Sequence, residues 1–275
     1  MAVYETLITE AVNENSVNIN KMTSAEIAKL INDEDKTVAF AVEKALPQIA
    51  EGIEIIANSL KVGGHIFYCG AGFSGRLGLL DSIDCADVFG VDPDVVTALI
   101  AGGRDAVFST PEFAEDDPEI FAKELRRHHF EAKDVVIGLS ASGTANCVKG
   151  AFKYAKECGA YTISITCNKD SEIEALADIA IVAEVGPEVI AGYTSLKAGT
   201  AQKMILNTLS TGAMIRYGRV RKNLMTYMVP SSKKLMDRAI RMICTETGCD
   251  REKATFELIK ADNCVAHAIE AINEE

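Results

Sequence analysis

Two short segments rich in glycine and hydroxyl side chains carry the strongest chemical signal in the chain. The first, residues 70–75, reads Gly-Ala-Gly-Phe-Ser-Gly and follows the apolar run of residues 66–69. A buried strand that ends in a glycine-rich turn and a helix N-terminus exposes backbone N–H groups, and the helix dipole favours an anion there. The segment also fits the Gly-x-Gly-x-x-Gly pattern of dinucleotide-binding turns. The sequence therefore predicts an anion site that holds either a pyrophosphate or the phosphate of a sugar.

The second segment, residues 140–144, reads Ser-Ala-Ser-Gly-Thr and follows the apolar run of residues 135–139. Ligands of parallel α/β sheets bind beyond the carboxyl ends of the strands, so we expect both segments to meet at one edge. Backbone amides and hydroxyls there suit a phosphate and a polyol. The candidate ligand-binding residues are Gly70, Gly72, Ser74, Gly75, Ser140, Ser142, Gly143 and Thr144. The alternative is that both segments are ordinary strand-to-helix turns whose hydroxyls cap the helices.

A dinucleotide would need an acidic residue after the second strand to bind its ribose. Asp105 lies near that point, and Arg104 could meet a 2′-phosphate. This alternative gives the second hydroxyl-rich segment no role, so the pattern favours a sugar phosphate.

The rest of the chain predicts the elements that would position these segments. Apolar runs at residues 66–69, 95–100, 135–139, 161–166 and 179–183 predict five strands. Helical periodicity between them predicts an α/β fold with a parallel sheet and helices on both faces. Thr23 and Glu26 form a capping-box pattern that predicts a helix to about Ile31. We divide the chain into an N-terminal helical arm (1–36), which could dock on a neighbouring chain, a core domain (37–229) and a small C-terminal helical subdomain (230–275).

Composition narrows the functional classes. The net charge of −12 argues against nonspecific nucleic-acid binding, which needs a basic surface. No apolar run reaches the roughly 18 residues that a membrane span needs. Eight cysteines occur without a Cys-x-x-Cys pair, and the four histidines complete no zinc pattern. We therefore expect a cytoplasmic protein with reduced thiols, no metal, and neither a membrane nor a nucleic acid as partner.

The run Gly-Ala-Gly-Phe-Ser-Gly-Arg-Leu-Gly-Leu-Leu-Asp from Gly70 resembles the phosphosugar-binding loop of the sugar isomerase (SIS) domain family. More narrowly, the chain resembles the N-acetylmuramic acid 6-phosphate etherases. The likeness includes Ile-Asn-Asp-Glu-Asp-Lys-Thr-Val from Ile31, Ala-Glu-Asp-Asp from Ala114, Val-Gly-Pro-Glu-Val-Ile from Val185 and Lys-Ala-Gly-Thr-Ala-Gln-Lys from Lys197. The resemblance implies a three-layer αβα domain with a central five-stranded parallel sheet. It also implies a homodimer, a site built partly from the neighbour's residues, and no cofactor.

The resemblance further implies a reaction. These etherases remove D-lactate from the 3-position of the sugar and leave N-acetylglucosamine 6-phosphate, by elimination through the ring-opened aldehyde. A base takes the C2 proton, an acid protonates the departing ether oxygen, and water then adds at C3. The resemblance assigns these roles to Glu115 as the base and to Asp84, where the family carries glutamate, as the acid. Lys197, at a helix start, is expected to meet the ligand's anion.

Three alternatives stay open at this point. The same architecture serves the glucokinase regulatory protein, which binds sugar phosphates without catalysis, so a sensor is possible. An aldose–ketose phosphosugar isomerase would need one base and no leaving-group acid. Finally, Thr144 and Ser195 stand where the etherases carry arginine, which raises the hypothesis of a 3-O substituent that is less acidic than lactate.

Overall fold

The computed structural model describes residues 5–109, 111 and 113–274. The strands are β1 (Ile66–Gly70), β2 (Val96–Ile100), β3 (Val135–Leu139), β4 (Tyr161–Thr166) and β5 (Ile179–Val182). The helices of the core and its N-terminal side are α1 (Ser24–Asp35), α2 (Val38–Glu43), α3 (Leu46–Lys61), α4 (Gly72–Phe89), α5 (Ile120–Arg127), α6 (Asn146–Glu157), α7 (Glu172–Leu176) and α8 (Lys197–Tyr217). The C-terminal helices are α9 (Lys233–Thr247), α10 (Arg251–Lys260) and α11 (Val265–Glu274).

The five strands form one parallel sheet in the order β2-β1-β3-β4-β5. Successive side chains of a strand point to opposite faces. Tyr68 and Ile137 therefore join the apolar core beneath α3, α4 and α8, while Phe67 and Val136 join the core beneath α5 and α6. The predicted α/β fold, with three layers and a five-stranded parallel sheet, is confirmed.

Helix α4 is longer than the sequence pattern predicts. The pattern predicts a helix from about Ser74 to Cys85, whereas α4 runs from Gly72 to Phe89. It ends where Gly90 adopts φ 57°, a left-handed conformation that glycine reaches at little cost. Asp84 therefore lies more than one turn before the C-terminal end of α4.

The predicted capping box of α1 is confirmed, because the Thr23 hydroxyl accepts from Glu26 N–H and the Glu26 carboxylate accepts from Thr23 N–H. The predicted end at Ile31 is wrong, since α1 continues to Asp35. Lys29 and Lys36 both pair with Asp33, which offsets the unfavourable placing of an acid near a helix C-terminus.

The N-terminal segment (residues 5–22) forms three short 3-10 turns, at Ile8–Glu10, Glu14–Ser16 and Ile19–Lys21. It packs on its own chain. Asn168 Nδ2 donates to Thr9 Oγ1 over 2.9 Å, and Asn13 Nδ2 donates to the carbonyl of Pro187 over 3.3 Å. Both partners lie just beyond the carboxyl ends of β4 and β5, so this segment covers that edge of the sheet.

The C-terminal helices α9, α10 and α11 enclose an apolar cluster of their own, with Ile243, Leu258 and Ile269 fully buried. In the part of the chain that the structure describes, every helix is too short or too polar to cross a membrane.

One glycine joins α6 to the segment that follows Glu115. A Cβ on Gly150 would lie 1.6 Å from the carbonyl oxygen of Pro118, so any side chain there must displace backbone. We expect Gly150→Ala to lower the free energy of unfolding, measured in urea, by about 3 kcal/mol. The control is Gly52→Ala, inside α3. Its Cβ would meet only terminal methyl groups, the nearest being Cδ2 of Leu209 at 2.9 Å, and alanine favours the helix by about 1 kcal/mol. Equal stability of the two variants would contradict the packing described.

Candidate active site

The two predicted ligand loops leave the sheet side by side. Gly70 pairs with Leu139 in the parallel ladder, so the chains after β1 and β3 emerge at neighbouring positions, about 4.8 Å apart. The helices that follow then diverge, because α4 packs on one face of the sheet and α6 on the other. A parallel sheet opens a crevice at such a point, and this is where its ligands bind. The structure therefore brings the glycine loop (residues 70–75) and the hydroxyl loop (residues 140–144) together.

The glycine loop holds the first turn of α4 against the sheet. A Cβ on Gly75 would lie 2.4 Å from the carbonyl oxygen of Gly70 and 2.7 Å from Cγ1 of Ile100, so only glycine allows this approach. The first N–H groups of a helix have no partner within it, and α4 begins at Gly72 beside the crevice. Ser74, half-buried in the same turn, donates its hydroxyl proton to Gln202 Oε1 over 2.9 Å.

The hydroxyl loop is fixed by bonds within itself. Ser140 Oγ accepts from Gly143 N–H over 3.1 Å, and the hydroxyls of Ser142 and Thr144 lie 2.8 Å apart. Gly143 has φ 76°, and a Cβ there would lie 2.3 Å from Cβ of Ser171. Ser142 and Thr144 remain partly exposed, so both hydroxyls can exchange a bond with each other for a bond with a ligand.

Glu115 is carried to the glycine loop by a 3-10 turn, Ala114–Asp116. Together they line a cavity of about 320 Å³, with Ala71 and Gly72 on one wall and Glu115 on the other. Although much of the residue is exposed, partial burial and the neighbouring charge of Asp116 raise the pKa of the Glu115 carboxyl. A carboxyl with a raised pKa beside a helix N-terminus suits proton transfer.

Arg76 was not singled out by the sequence, yet it ties the two walls of this cavity together. It lies on the second turn of α4, and its guanidinium donates to three backbone carbonyls of the loop that leads to Glu115. The acceptors are the carbonyls of Ala106 at 3.1 Å, Val107 at 3.0 Å and Ser109 at 2.7 Å. The helix that begins at the glycine loop therefore also sets the path of the Glu115 loop.

Asp84 lies away from this cavity. It follows Gly72 by twelve residues on α4, which is about 18 Å along the helix axis. Its side chain is exposed, next to the exposed apolar side chains of Leu80 and Ile83. Within one chain, the structure brings Glu115 to the glycine loop and leaves Asp84 on the outer face of α4.

Asp81, one turn before Asp84, holds α4 to its neighbours. The carboxylate is buried and accepts from Tyr68 Oη at 2.7 Å, Asn207 Nδ2 at 2.6 Å and Ser210 Oγ at 3.1 Å. Burial raises the pKa of Asp81, and these three donors oppose that effect. The carboxylate thus joins α4, β1 and α8 below the site.

Lys197 opens α8, as predicted, but its ammonium is buried within the protein. Its Nζ lies 2.6 Å from Glu34 Oε2, and its side chain is 4% exposed. Burial alone would raise the pKa of Glu34, yet hydrogen bonds from Lys197 and Asn15 outweigh it and lower that pKa. The fully buried Glu188 accepts from the N–H groups of Lys197 and Ala198, each at 3.0 Å. The role of Lys197 in binding an anion stays a prediction.

The two carboxylates that bind the start of α8, Glu34 and Glu188, were not singled out by the sequence. Burial raises the pKa of Glu188, while the two N–H groups at the start of α8 favour its charged form. The Gly-Pro-Glu sequence before α8 was a usable signal for Glu188, whereas Glu34 is 163 residues away from its partner. Among the residues that the structure describes, no three His, Cys, Asp or Glu side chains are grouped to hold a metal ion.

Comparison with known proteins agrees with this geometry. Residues 48–156 match the model of the glucokinase regulatory protein N-terminal SIS domain, and residues 114–211 match the model of the SIS domain. Among solved structures, a phosphoheptose isomerase from Neisseria gonorrhoeae superposes with a TM-score of 0.54. It is 19% identical, and the match covers 70% of this chain and 98% of that one. The architecture is therefore that of a SIS domain protein.

Curated relatives define the family more narrowly. N-acetylmuramic acid 6-phosphate etherase from Clostridium beijerinckii is 46% identical over 263 residues, which covers 96% of this chain and 86% of the relative. The enzyme of that name from Symbiobacterium thermophilum is 47% identical over 266 residues, covering 97% and 88%. The chain belongs to the N-acetylmuramic acid 6-phosphate etherase family.

The pKa of Glu115 is directly testable. A carboxyl whose pKa is raised by folding favours the folded state below its unfolded-state pKa, and this contribution is lost as the pH rises through the folded-state pKa. We expect a ¹³C NMR titration to give Glu115 a pKa above that of a free glutamate. Asp116→Asn should lower that pKa only in part, because burial is the larger cause. The control is Asp92→Asn, which should leave the pKa of Glu115 unchanged. Asp92 precedes β2 and so lies at the amino ends of the strands, away from the cavity. No effect of Asp116→Asn would refute the assigned cause.

Proposed function

We propose that this protein cleaves the 3-O-lactyl ether of N-acetylmuramic acid 6-phosphate, giving D-lactate and N-acetylglucosamine 6-phosphate. The observation that carries the proposal is the Glu115 carboxyl, with its raised pKa, in a cavity that it shares with the glycine loop. Relatives that bear this enzyme name match nearly the full length of the chain, which supports the same activity. The proposal places the protein in the cytoplasm, where its eight unpaired thiols stay reduced.

In this proposal, the crevice between β1 and β3 holds the sugar's phosphate. The free N–H groups at the start of α4 and the Ser74 hydroxyl donate to the phosphate oxygens, and the helix dipole favours their charge. The hydroxyl loop then faces the polyol chain of the open sugar. Since the phosphate itself does not react, its binding energy serves to position C2 and C3 against the acid and the base.

The chemical step is an elimination followed by addition of water. Glu115 takes the proton from C2, the electron pair forms the C2–C3 double bond, and the C3–O bond breaks. A carboxylic acid gives its proton to the departing oxygen, which leaves as the hydroxyl of D-lactate. Water then adds, with OH at C3 and H at C2, so that one water is consumed for each ether cleaved. Two carboxyl groups in opposite protonation states perform this step.

Asp84 can supply the acid only if a second chain brings it to the crevice, since it lies about 18 Å along α4 from Gly72 in its own chain. We therefore propose a homodimer in which Asp84 of one chain serves the crevice of its partner. The outer face of α4 supports this proposal. Leu80 and Ile83 on that face are 63% and 54% exposed, and Phe108, which lines a cavity together with Ile83, is 89% exposed. Large apolar side chains grouped at a surface mark an interface.

The activity is tested by incubating the dimeric protein with N-acetylmuramic acid 6-phosphate in ¹⁸O water. We expect release of D-lactate and one ¹⁸O at C3 of the sugar product. Glu115→Gln should lower kcat about 10³-fold, because the base is lost while the shape is kept. The matched control is Glu119→Gln, which changes an exposed carboxyl four residues further on, outside the cavity, and should keep most of the activity. Sugar-phosphate binding without turnover would favour a sensor instead, and aldose–ketose conversion of a hexose phosphate would favour an isomerase.

If each active site takes Glu115 from one chain and Asp84 from the other, two inactive variants can restore activity in a mixed dimer. Glu115→Gln and Asp84→Asn should each be inactive alone. After the two variants are unfolded together and refolded as a mixture, half of the dimers are mixed, and each has one crevice with both native carboxyl groups. We therefore expect recovery of about one quarter of the wild-type activity. Recovery should be absent if each chain uses its own Asp84, and that result would overturn the shared site. Each variant refolded alone is the control.

A further inference from the structure

Gln202 lies directly behind the glycine loop, on the second turn of α8. The residue is 1% exposed, and its Oε1 accepts the hydroxyl proton of Ser74 over 2.9 Å. Its Nε2 is buried and has no hydrogen-bond partner among the residues that the structure describes. An unpaired buried N–H group is rare and costly in a folded protein. Such a group next to an anion-binding turn points to a second arrangement in which it is paired.

The chemistry of a phosphate monoester explains what that arrangement would be. A dianionic phosphate offers oxygens that only accept, whereas a serine hydroxyl has a single proton to donate. In the empty protein, Ser74 gives that proton to Gln202. To bind the phosphate, Ser74 must turn its proton toward the crevice, and its oxygen then presents a lone pair to an amide oxygen. Two acceptors would face each other at hydrogen-bond distance.

We propose that Gln202 is a positioning residue for the phosphate, acting through Ser74, an inference that rests on the proposed phosphosugar function. When the phosphate enters, the Gln202 amide turns over and its Nε2 donates to Ser74 Oγ. The serine proton is then free to bond a phosphate oxygen. The buried Nε2 gains its partner, and Oε1 takes the unpaired position, where a carbonyl is tolerated more readily than an N–H. Hydrogen bonds in such a chain polarise and strengthen one another.

The test is a double-mutant cycle on the dimeric full-length protein, with N-acetylglucosamine 6-phosphate affinity measured by calorimetry. Ser74→Ala should weaken binding about 10-fold or more, as expected for a hydrogen bond to a charged group. Gln202→Met, which keeps the length and removes both polar atoms, should weaken binding about 5-fold when Ser74 is present. It should weaken binding less than about 2-fold in the Ser74→Ala background, because Gln202 acts only through that hydroxyl.

A second variant at position 202 tests which partner donates the hydrogen bond between that residue and Ser74. Gln202→Glu keeps the shape, and binding is measured at about pH 9, where even a buried carboxyl is ionised. The carboxylate then only accepts, so it retains the Ser74 proton and should weaken binding more than Gln202→Met. Thr208→Val is the matched control. This exposed residue lies on α8 as well, and its hydroxyl bonds only the Met204 carbonyl of its own helix, so its loss should leave affinity within about 2-fold.

Four outcomes overturn the inference. They are equal losses for Gln202→Met in both backgrounds, wild-type affinity in Gln202→Glu, a loss in Thr208→Val as large as in Gln202→Met, and no loss in Ser74→Ala. The first three leave the proposed function standing, because Ser74 still binds the phosphate. The fourth would show in addition that Ser74 does not bind the phosphate. If the wild-type protein does not bind the sugar phosphate at all, the proposed function and the inference fail together.

Discussion

The pairing of β1 with β3 is the constraint on which the site depends. These strands are adjacent in the sheet but not in sequence, since β2 lies between them in the chain and on the far side of β1 in space. The crossovers from β1 and β3 therefore pass to opposite faces of the sheet, and no connection fills the space between their ends. Loops rich in glycine and serine can occupy this opening because their small side chains leave room for a ligand.

Helix α4 connects most parts of the site as one rigid element. Its N-terminus lies in the glycine loop, Arg76 on its second turn directs the Glu115 loop, and Asp81 joins its middle to β1 and α8. Because a helix is rigid along its axis, a shift at the Asp81 contacts would move both the glycine loop and Asp84. The distance between the glycine loop and the outer apolar face is therefore set by one element.

Much of the fold could be predicted, because short apolar runs separated by helical periodicity leave few alternatives to a parallel sheet. The positions of the glycine loop and the hydroxyl loop could also be predicted, since glycine and hydroxyl residues directly after buried strands are local signals. The remaining features depend on contacts between distant residues. No pattern around Lys197 indicates that Glu34 neutralises its charge, and none around Ser74 indicates Gln202. Helix periodicity shows that Asp84 lies on α4, but the distance to Glu115 depends on where the loop after β2 returns.

The N-terminal segment has a consequence for how the protein is made. Its contacts reach from Thr9 to Asn168 and from Asn13 to Pro187, separations of 159 and 174 residues. Contacts this distant in sequence form late, because a long loop must close before they contribute free energy. During synthesis, residues 5–22 leave the ribosome well before β4, β5 and the start of α8, which form the surface that they cover. This edge of the sheet can thus be completed only after those later elements have been synthesised, and a segment that is made early is among the last to reach its native position.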